Sequence, residues 1–281
     1  MEIQKSFLDA FLKGQDTYGW SVPGQVSPVT ITLRKGNVGF NDPVAECLYP
    51  KRVESAWPLT GTQYTKYFLT VEKGLTTVAP NDENEGELTY EALGSIDNFQ
   101  GVRFETGPFE KETEITGHVN AHLNISMEPD ADQDANSEKD IDLFLTLRYI
   151  EPSGMEVLYT GTAGDGVPLT KGWLRCSMRK VNAKHPRHRT YLPHREYYST
   201  DVEQIRPREV YGVDVEIWPT NVIVERGAKI VLEVASGDTQ GCGIFQHDSE
   251  LDRPSSRFSG RNILHFGGGI VNYVVLPIIA H

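Results

Sequence analysis

Histidine, arginine and tyrosine are concentrated in one segment of this chain, KHPRHRTYLPHREYYS at residues 184–199. Arginine presents a rigid fork of donors to oxyanions, histidine titrates near neutral pH, and tyrosine adds an aromatic wall with a hydroxyl donor. Such a set is suited to binding an oxygen-rich small molecule or to proton transfer. The alternative, which the loop-like composition favours, is a solvated segment whose cations offset an acidic surface.

A second polar cluster, FQHDSELDRP at residues 245–254, follows a glycine-rich turn. A carboxylate beside His247 would hold the imidazole in one tautomer and raise its basicity, as a general base requires. The alternative is an ion pair between Asp252 and Arg253 within a structural loop, and this simpler interpretation is slightly favoured. Both segments are therefore candidate sites with a structural alternative.

No metal site is predicted from the sequence. His118 and His122 have the HxxxH spacing, but they lie in a strand-like segment, where four residues span about 13 Å and separate the two rings too far for one zinc ion. Asp130, Asp132 and Asp134 have the spacing of a calcium loop, yet the turn glycine and the final glutamate are missing. We therefore expect no metal and no cofactor.

Motifs of common enzymes are missing from the sequence as well. It contains no Gly-x-Ser-x-Gly, no HExxH and no phosphate-binding loop. A serine hydrolase needs its nucleophile on the sharp strand-to-helix turn that the first of these motifs builds. We therefore predict no serine hydrolysis by this chain alone.

The elements that must position the candidate residues are mostly strands. Apolar residues at three- and four-residue spacing predict a single short helix over residues 3–13. Beyond it, alternating or β-branched runs are separated by turn-forming residues, which predicts an all-β fold, an antiparallel β-sandwich or jelly roll. The runs are PVTITLR, TKYFLTV, TEITGHVNAHLNIS, DIDLFLTLRYI, VDVEIWP, NVIVERG, KIVLEVAS and NYVVLPII. Two acidic stretches, residues 80–98 and 128–140, are predicted to be solvated insertions.

Composition argues against several classes of function. The 27 basic and 39 acidic residues give a formal charge of −12, which repels nucleic-acid phosphates. No apolar run reaches the ~18 residues of a membrane-spanning helix, and the N-terminus lacks the features of a secretory signal. Three widely spaced cysteines fit neither a disulfide framework nor a metal-binding pair. We predict a cytoplasmic protein that binds neither nucleic acid nor membranes.

Several motifs, in order along the chain, resemble a known family. The segments GWLRCSMRK, VDVEIWPTNVIVERGAKIVLEVASGDTQG, FQHDSELDRP and NYVVLPII are similar to the C-terminal non-catalytic β-sandwich of the X-Pro dipeptidyl-peptidase and cocaine-esterase family of serine hydrolases, in the form seen in fungal members. Earlier segments at residues 54–69, 106–117 and 140–147 agree. The chain departs from the family at Met178, where relatives often have the histidine of a Ser-His-Arg motif.

The resemblance implies a galactose-binding-like jelly roll over residues 20–281. Residues 1–19 then correspond to the last helix of an α/β-hydrolase domain that precedes the sandwich in the family and that this sequence lacks. Because such a domain covers part of the sandwich, its loss predicts exposed apolar surface that is buried in a homo-oligomer or by another partner.

Three functions remain open. The first, which we favour, is non-hydrolytic chemistry such as cyclisation, dehydration or cycloaddition on a small apolar or polyketide-like molecule of secondary metabolism. The second is a non-catalytic module that binds a carbohydrate or another small ligand. The third is a structural partner of a separately encoded hydrolase.

If the chain is an enzyme, the loop from His185 to Tyr198 should approach the turn from Gln246 to Arg253 at one end of the sandwich. A histidine would transfer the proton, an arginine would hold an oxyanion, and aromatic side chains would form a wall. The catalytic candidates are His188, His194, His247, Arg187, Arg195 and Arg253. The candidate substrate-binding residues are Tyr191, Tyr197 and Trp57, although packing beside the sheet is the commoner role of a tryptophan.

Overall fold

Strands make up most of the regular structure in the computed structural model, which describes residues 2–81, 85–131, 138–243 and 246–280. The helices are α1 (Glu2–Lys13), α2 (Pro43–Glu46) and α3 (Ser255–Phe258), and Cys176–Met178 and Ser199–Asp201 form 3₁₀ turns. The strands are β1 (Val29–Thr32), β2 (Lys51–Glu54), β3 (Thr62–Leu69), β4 (Gly74–Thr76), β5 (Gly86–Glu91), β6 (Gly101–Thr106), β7 (Thr113–Glu128), β8 (Asp142–Ile150), β9 (Glu156–Val157), β10 (Tyr159–Thr160), β11 (Gly166–Val167), β12 (Thr170–Arg175), β13 (Tyr211–Val224), β14 (Lys229–Ala235), β15 (Arg261–Phe266) and β16 (Tyr273–Ile279). The predicted β-rich fold with one short N-terminal helix is confirmed. Within the described ranges, no helix is long and apolar enough to cross a membrane.

One 12-stranded sheet dominates the described part of the chain, and it closes on itself. Its strand order is β13-β12-β8-β14-β6-β4-β3-β16-β7-β15-β5, with β9 paired to β8. Strand β13, at one end of the path, also pairs with β7, which closes the sheet into a barrel-like arrangement and leaves β15 and β5 beyond the closure. The closed path fits a β-sandwich or barrel, and the finer prediction of a jelly roll stays a prediction.

Strand β7 carries residues of the candidate site on one of its two faces and core residues on the other. Val119, Ala121 and Leu123 are fully buried in the core. Since successive side chains of a strand point to opposite faces, His118 and His122 belong to the outer face. Strand β13 lies on one side of this part of β7 and β16 on the other, so the outer face is a surface of three strands.

Strand β8 is buried on both faces. Leu145 and Leu147 belong to the core, whereas Arg148 on the opposite face pairs with the buried Glu233 of β14 (Nη2 to Oε1, 3.2 Å). The segment after β14 covers this opposite face, where the His247 ring meets Phe144 edge-on at 5.4 Å. His247 of the cluster predicted at residues 245–254 is therefore packed on the sheet, and position 245 lies outside the described residues.

The acidic stretches are solvated only in part. Strand β5 lies inside residues 80–98 and pairs with β15, and its Tyr90 is buried. Sequence reasoning missed this strand because its exposed face is as acidic as the loops around it. At the end of residues 128–140, Lys139 and Asp140 are buried. Two residues of the calcium-like pattern, at positions 132 and 134, lie outside the described residues.

Candidate functional site

The His/Arg/Tyr loop at residues 184–199 is docked on the outer face of the sheet. Tyr191 stacks on Tyr64 of β3, with ring centroids 3.6 Å apart and an interplanar angle of 2°. Asn120 of β7 donates from its side-chain amide to the Thr190 carbonyl at 3.4 Å. The guanidinium of the buried Arg195 donates to the carbonyl of Asp214 in β13. The loop is therefore docked on the sheet at these points, while most of its other residues are exposed or only partly buried.

An aromatic cluster surrounds His118 at the place where the loop meets the sheet. The Trp57 indole N–H donates to His118 Nε2 at 3.1 Å, and the Tyr191 ring lies 6.1 Å from the imidazole. Because Nε2 accepts this bond, the neutral ring carries its proton on Nδ1, which has no hydrogen-bond partner among the described residues. Burial lowers the pKa of His118. The structure thus brings two predicted wall residues, Trp57 and Tyr191, to a histidine that was not predicted.

A second polar row crosses the three strands beside this cluster. His122 Nδ1 lies 2.9 Å from Asp214 Oδ1, and the His122 ring stacks on Tyr273 of β16 at 5.2 Å. Burial opposes ionisation of Asp214, but the hydrogen bond and charge of His122 outweigh it, so the pKa of Asp214 is lowered. A histidine held by a carboxylate in this way is suited to accept a proton. His118 and His122 have separate partners, as their spacing predicts.

Arg195, a predicted oxyanion holder, anchors the loop in the structure. Its Nε donates to the Arg179 carbonyl at 3.2 Å, and another guanidinium N–H donates to Asp214. Burial raises the pKa of the neighbouring Glu216, and the positive charge of Arg195 opposes that rise. Donors that are engaged by backbone carbonyls hold the loop on β13, and an oxyanion role for Arg195 stays a prediction.

The other candidates of the loop lie along its solvent side. His194 stacks on His185 with ring centroids 3.7 Å apart, and its backbone N–H donates to His188 Nδ1 at 3.4 Å. Arg187 is exposed, and Tyr197 is more than half exposed with a left-handed backbone φ of 54°. These side chains face solvent near the site, and none of them belongs to the aromatic cluster around His118.

His247 has a carboxylate partner, and that partner is Asp238. His247 Nδ1 lies 3.1 Å from Asp238 Oδ1, and the His247 backbone N–H also donates to Asp238. Arg253 is buried beside it, where its Nε lies 3.0 Å from Asp142 Oδ2 and its other nitrogens donate to the carbonyls of His247 and Ser236. The ion pair of Arg253 is therefore with Asp142, and Asp252 pairs with Arg175 instead.

A cleft of about 610 Å³ opens beside His247. Trp173 and Trp218 meet edge-on in its wall at 5.2 Å, and Lys171 and Cys242 also line it. Burial lowers the pKa of the Lys171 ammonium, which donates to the Gln240 carbonyl. An aromatic wall with a few polar groups is typical of a small-ligand site.

The two predicted clusters do not share a contact in the described part of the chain. The loop at residues 184–199 is bonded to β3, β7 and β13, whereas His247 and Arg253 are bonded to residues of β8 and of the segment that follows β14. No hydrogen bond, ion pair or ring contact of the described residues joins the loop to the turn. The predicted meeting of loop and turn, and the catalytic role of each candidate, stay predictions.

Sequence reasoning missed several residues of these sites. His118, His122 and Asp214 carried a usable signal, because alternation along their strands places them outward in a β-rich chain. Tyr64 and Asp238 carried none, since their roles depend on contacts between segments far apart in sequence.

Comparisons with known proteins agree with this fold. A family model described as the X-Pro dipeptidyl-peptidase C-terminal non-catalytic domain matches residues 22–275. A protein named as a serine esterase of Mycobacterium bovis is 25% identical over 144 residues, which are 51% of this chain and 20% of the relative. The chain spans a fifth of the length of this curated relative.

Two solved structures have similar folds. A CocE/NonD family hydrolase from Staphylococcus aureus superposes with a TM-score of 0.76 at 20% identity, covering 99% of this chain and 45% of the hydrolase. An aminopeptidase from a marine sediment archaeon, a thaumarchaeote, superposes with a TM-score of 0.59 at 11% identity, covering 99% of this chain and 44% of the aminopeptidase. More than half of each of these proteins lies outside the match.

Proposed function

Because this chain belongs to the family of X-Pro dipeptidyl-peptidase C-terminal non-catalytic domains, we propose that it acts as the non-catalytic β domain that packs on an α/β-hydrolase domain. The partner domain would carry the nucleophile, since Gly-x-Ser-x-Gly is missing from this sequence. The relatives named above support this role, because each extends well beyond the part that this chain matches.

The observation that carries the proposal is the orientation of helix α1. Its apolar side chains point outward: Leu8 and Phe11 are about half exposed, and Ile3 and Leu12 are more exposed still. Its polar side is the buried one, where Ser6 Oγ accepts a hydrogen bond from the Trp20 indole at 3.2 Å. A contiguous apolar helix face in water is unfavourable and marks a contact surface. This helix face therefore fits the partner domain.

A second candidate function rests on the cleft beside His247. Trp218 is 63% exposed next to Trp173, and exposed aromatic rings beside polar groups suit the flat faces of carbohydrates. If the cleft binds a carbohydrate, Trp218→Ala should abolish retention on a glycan array that retains the parent protein. A parent protein that binds no glycan contradicts this second function.

None of the relatives named above is described as a cyclase or lyase, so non-hydrolytic chemistry on a polyketide-like molecule stays a prediction.

The test places a photo-crosslinking amino acid at position 8 during expression in the source cells. Crosslinked peptides are then identified by mass spectrometry. We expect peptides from an α/β-hydrolase domain that carries Gly-x-Ser-x-Gly, because the apolar face of α1 would lie against it. The same amino acid at position 251 is the matched control, since Leu251 is 98% exposed in a turn outside α1.

Two outcomes contradict the proposal. Crosslinks from position 8 to a second copy of this chain would support the homo-oligomer predicted from the sequence instead. Equal crosslinking of unrelated proteins from positions 8 and 251 would mean that the helix has no specific partner.

A further inference from the structure

Three metal-binding side chains converge within the docked loop. His185, His194 and Glu196 each offer a ligand atom, and these atoms lie within 4.8 Å of one another. Among the residues that the structure describes, these three form a group whose ligand atoms are close enough together to bind one metal ion. The two imidazoles are half-buried and parallel, with an interplanar angle of 9°, and Glu196 is exposed.

Backbone hydrogen bonds around Asn182 bring these residues together from separate parts of the loop. The Asn182 N–H donates to the His194 carbonyl at 2.9 Å, and the His185 N–H donates to the Asn182 carbonyl at 3.1 Å. The Asn182 side-chain amide donates to Glu196 Oε1 at 3.3 Å. Such a bond orients a carboxylate, as the partners of metal ligands commonly do.

The side chains of three successive residues, 194–196, also point in alternating directions. Arg195 lies between His194 and Glu196 in sequence and is buried against β13. Because the Arg195 side chain points toward β13, the side chains of His194 and Glu196 lie on the other side of the chain. Arg195 thus holds this part of the loop on β13, while its two neighbours lie together with His185.

The donor set is one that suits zinc. Two imidazoles and one carboxylate bind zinc in many enzymes, and three protein ligands leave a fourth position open. The Arg187 N–H donates to His185 Nδ1 at 3.2 Å, so an ion bound to this ring either displaces that donor from Nδ1 or binds Nε2 after it loses its proton.

We propose that His185, His194 and Glu196 bind one divalent transition-metal ion of the zinc type, with a coordination position open to water or to a ligand. The exposed cations of the loop, Lys184, Arg187 and Arg189, are screened by solvent and do not outweigh direct ligation. The ion would join two ends of the loop that carries Tyr191. This site is independent of the proposed partner domain.

The experiment titrates chelator-treated protein with Zn²⁺ by calorimetry and with Co²⁺ by visible absorption. We expect one ion per chain and the d–d bands of low-coordinate Co²⁺ with nitrogen ligands. His194→Ala and Glu196→Gln should each weaken Zn²⁺ binding by about a hundredfold or more, since loss of an outer partner alone costs 10–100-fold. Asn182→Ala should weaken it by about 10–100-fold.

His247→Ala is the matched control, because it removes a half-exposed histidine from the other cluster and should leave Zn²⁺ binding unchanged. Thermal unfolding of each metal-free variant checks that its fold is retained, and Glu196→Gln preserves the size of an exposed side chain. The proposal is wrong if the parent protein binds no Zn²⁺ at one-to-one stoichiometry. It is equally wrong if folded His194→Ala and Glu196→Gln proteins bind as tightly as the parent.

Discussion

The burial of His118 makes the stability of the folded protein depend on pH. Its Nε2 accepts from Trp57, and its lowered pKa means that the folded protein favours the neutral ring. Above the ordinary pKa of 6.5, both the folded and unfolded states hold a neutral imidazole, so the contribution is fully present. As the pH falls through the lowered folded-state pKa, the unfolded state binds the proton first and this stability is lost.

The first prediction follows from this loss of stability as the pH falls. We expect the free energy of unfolding to fall between about pH 7.5 and about pH 5.5 by more in the parent protein than in His118→Gln. Urea denaturation at the two pH values measures the difference. His188→Gln serves as the control on the solvent side of the loop and should follow the parent. Identical pH dependence of the parent and His118→Gln would mean that His118 is not neutral and buried in solution.

Tyr191 is one of the residues that dock the loop on the sheet. Its stack on Tyr64 is worth about 0.5–1.5 kcal/mol beyond the area that it buries. Tyr191→Ala should therefore lower the free energy of unfolding by at least that amount in chemical denaturation. Tyr197→Ala removes an exposed ring from the same loop and should change it by no more than about 0.5 kcal/mol. Equal effects of the two substitutions would show that the stack does not hold the loop.

At the residue scale, sequence reasoning found the right segments and an incomplete set of contacts. Composition singled out Tyr191 and His247, and both have defined partners in the structure. The side-chain types of Arg195 and Arg253 suggested oxyanion binding, whereas both are buried and bonded to carbonyls or a carboxylate of the fold. The burial and these contacts depend on distant segments that one sequence does not reveal, and the oxyanion role of each arginine stays a prediction.

At the scale of elements, β12 and β13 come close together at Gly172. A Cβ added there would lie 2.3 Å from the Glu216 carbonyl oxygen and 2.7 Å from Ile217 Cα. Such distances force the two strands apart, because backbone atoms have no rotamer by which to move away. The glycine is therefore required by close approach of the strands.

Gly172→Ala should accordingly destabilise the protein by about 1–3 kcal/mol. Gly107→Ala is the control, since its Cβ would meet nothing within 4 Å. Thermal denaturation of both variants measures the difference. If Gly172→Ala unfolds at the temperature of the parent, strands β12 and β13 do not approach each other in solution as they do in this structure.

Strands with strong patterns were predictable, and others were not. The runs VDVEIWP and NVIVERG are one strand, β13, because a register shift between Ile217 and Thr220 carries it past Trp218 and Pro219. Strands β6, β12 and β15 are short and mix polar with apolar residues, so no pattern marked them in advance. Pairing with long neighbours stabilises them, and pairing partners are a property of the whole fold.

At the scale of the whole molecule, the structure combines a covered sheet with an uncovered helix. The outer face of β8 is closed by the segment after β14, and part of the outer face of β7 is closed by the His/Arg/Tyr loop. The apolar side of α1 has no such cover among the described residues. Family resemblance assigns residues 1–19 to the last helix of a hydrolase domain, and that assignment stays a prediction.

The most direct test of the proposed role is fluorophosphonate labelling of this chain together with the α/β-hydrolase domain proposed as its partner, followed by intact mass and peptide mapping. The account predicts a covalent adduct on one serine of the partner and none on this chain, because this chain has no Gly-x-Ser-x-Gly turn to activate a serine. A stoichiometric adduct on a defined serine of this chain would contradict the account.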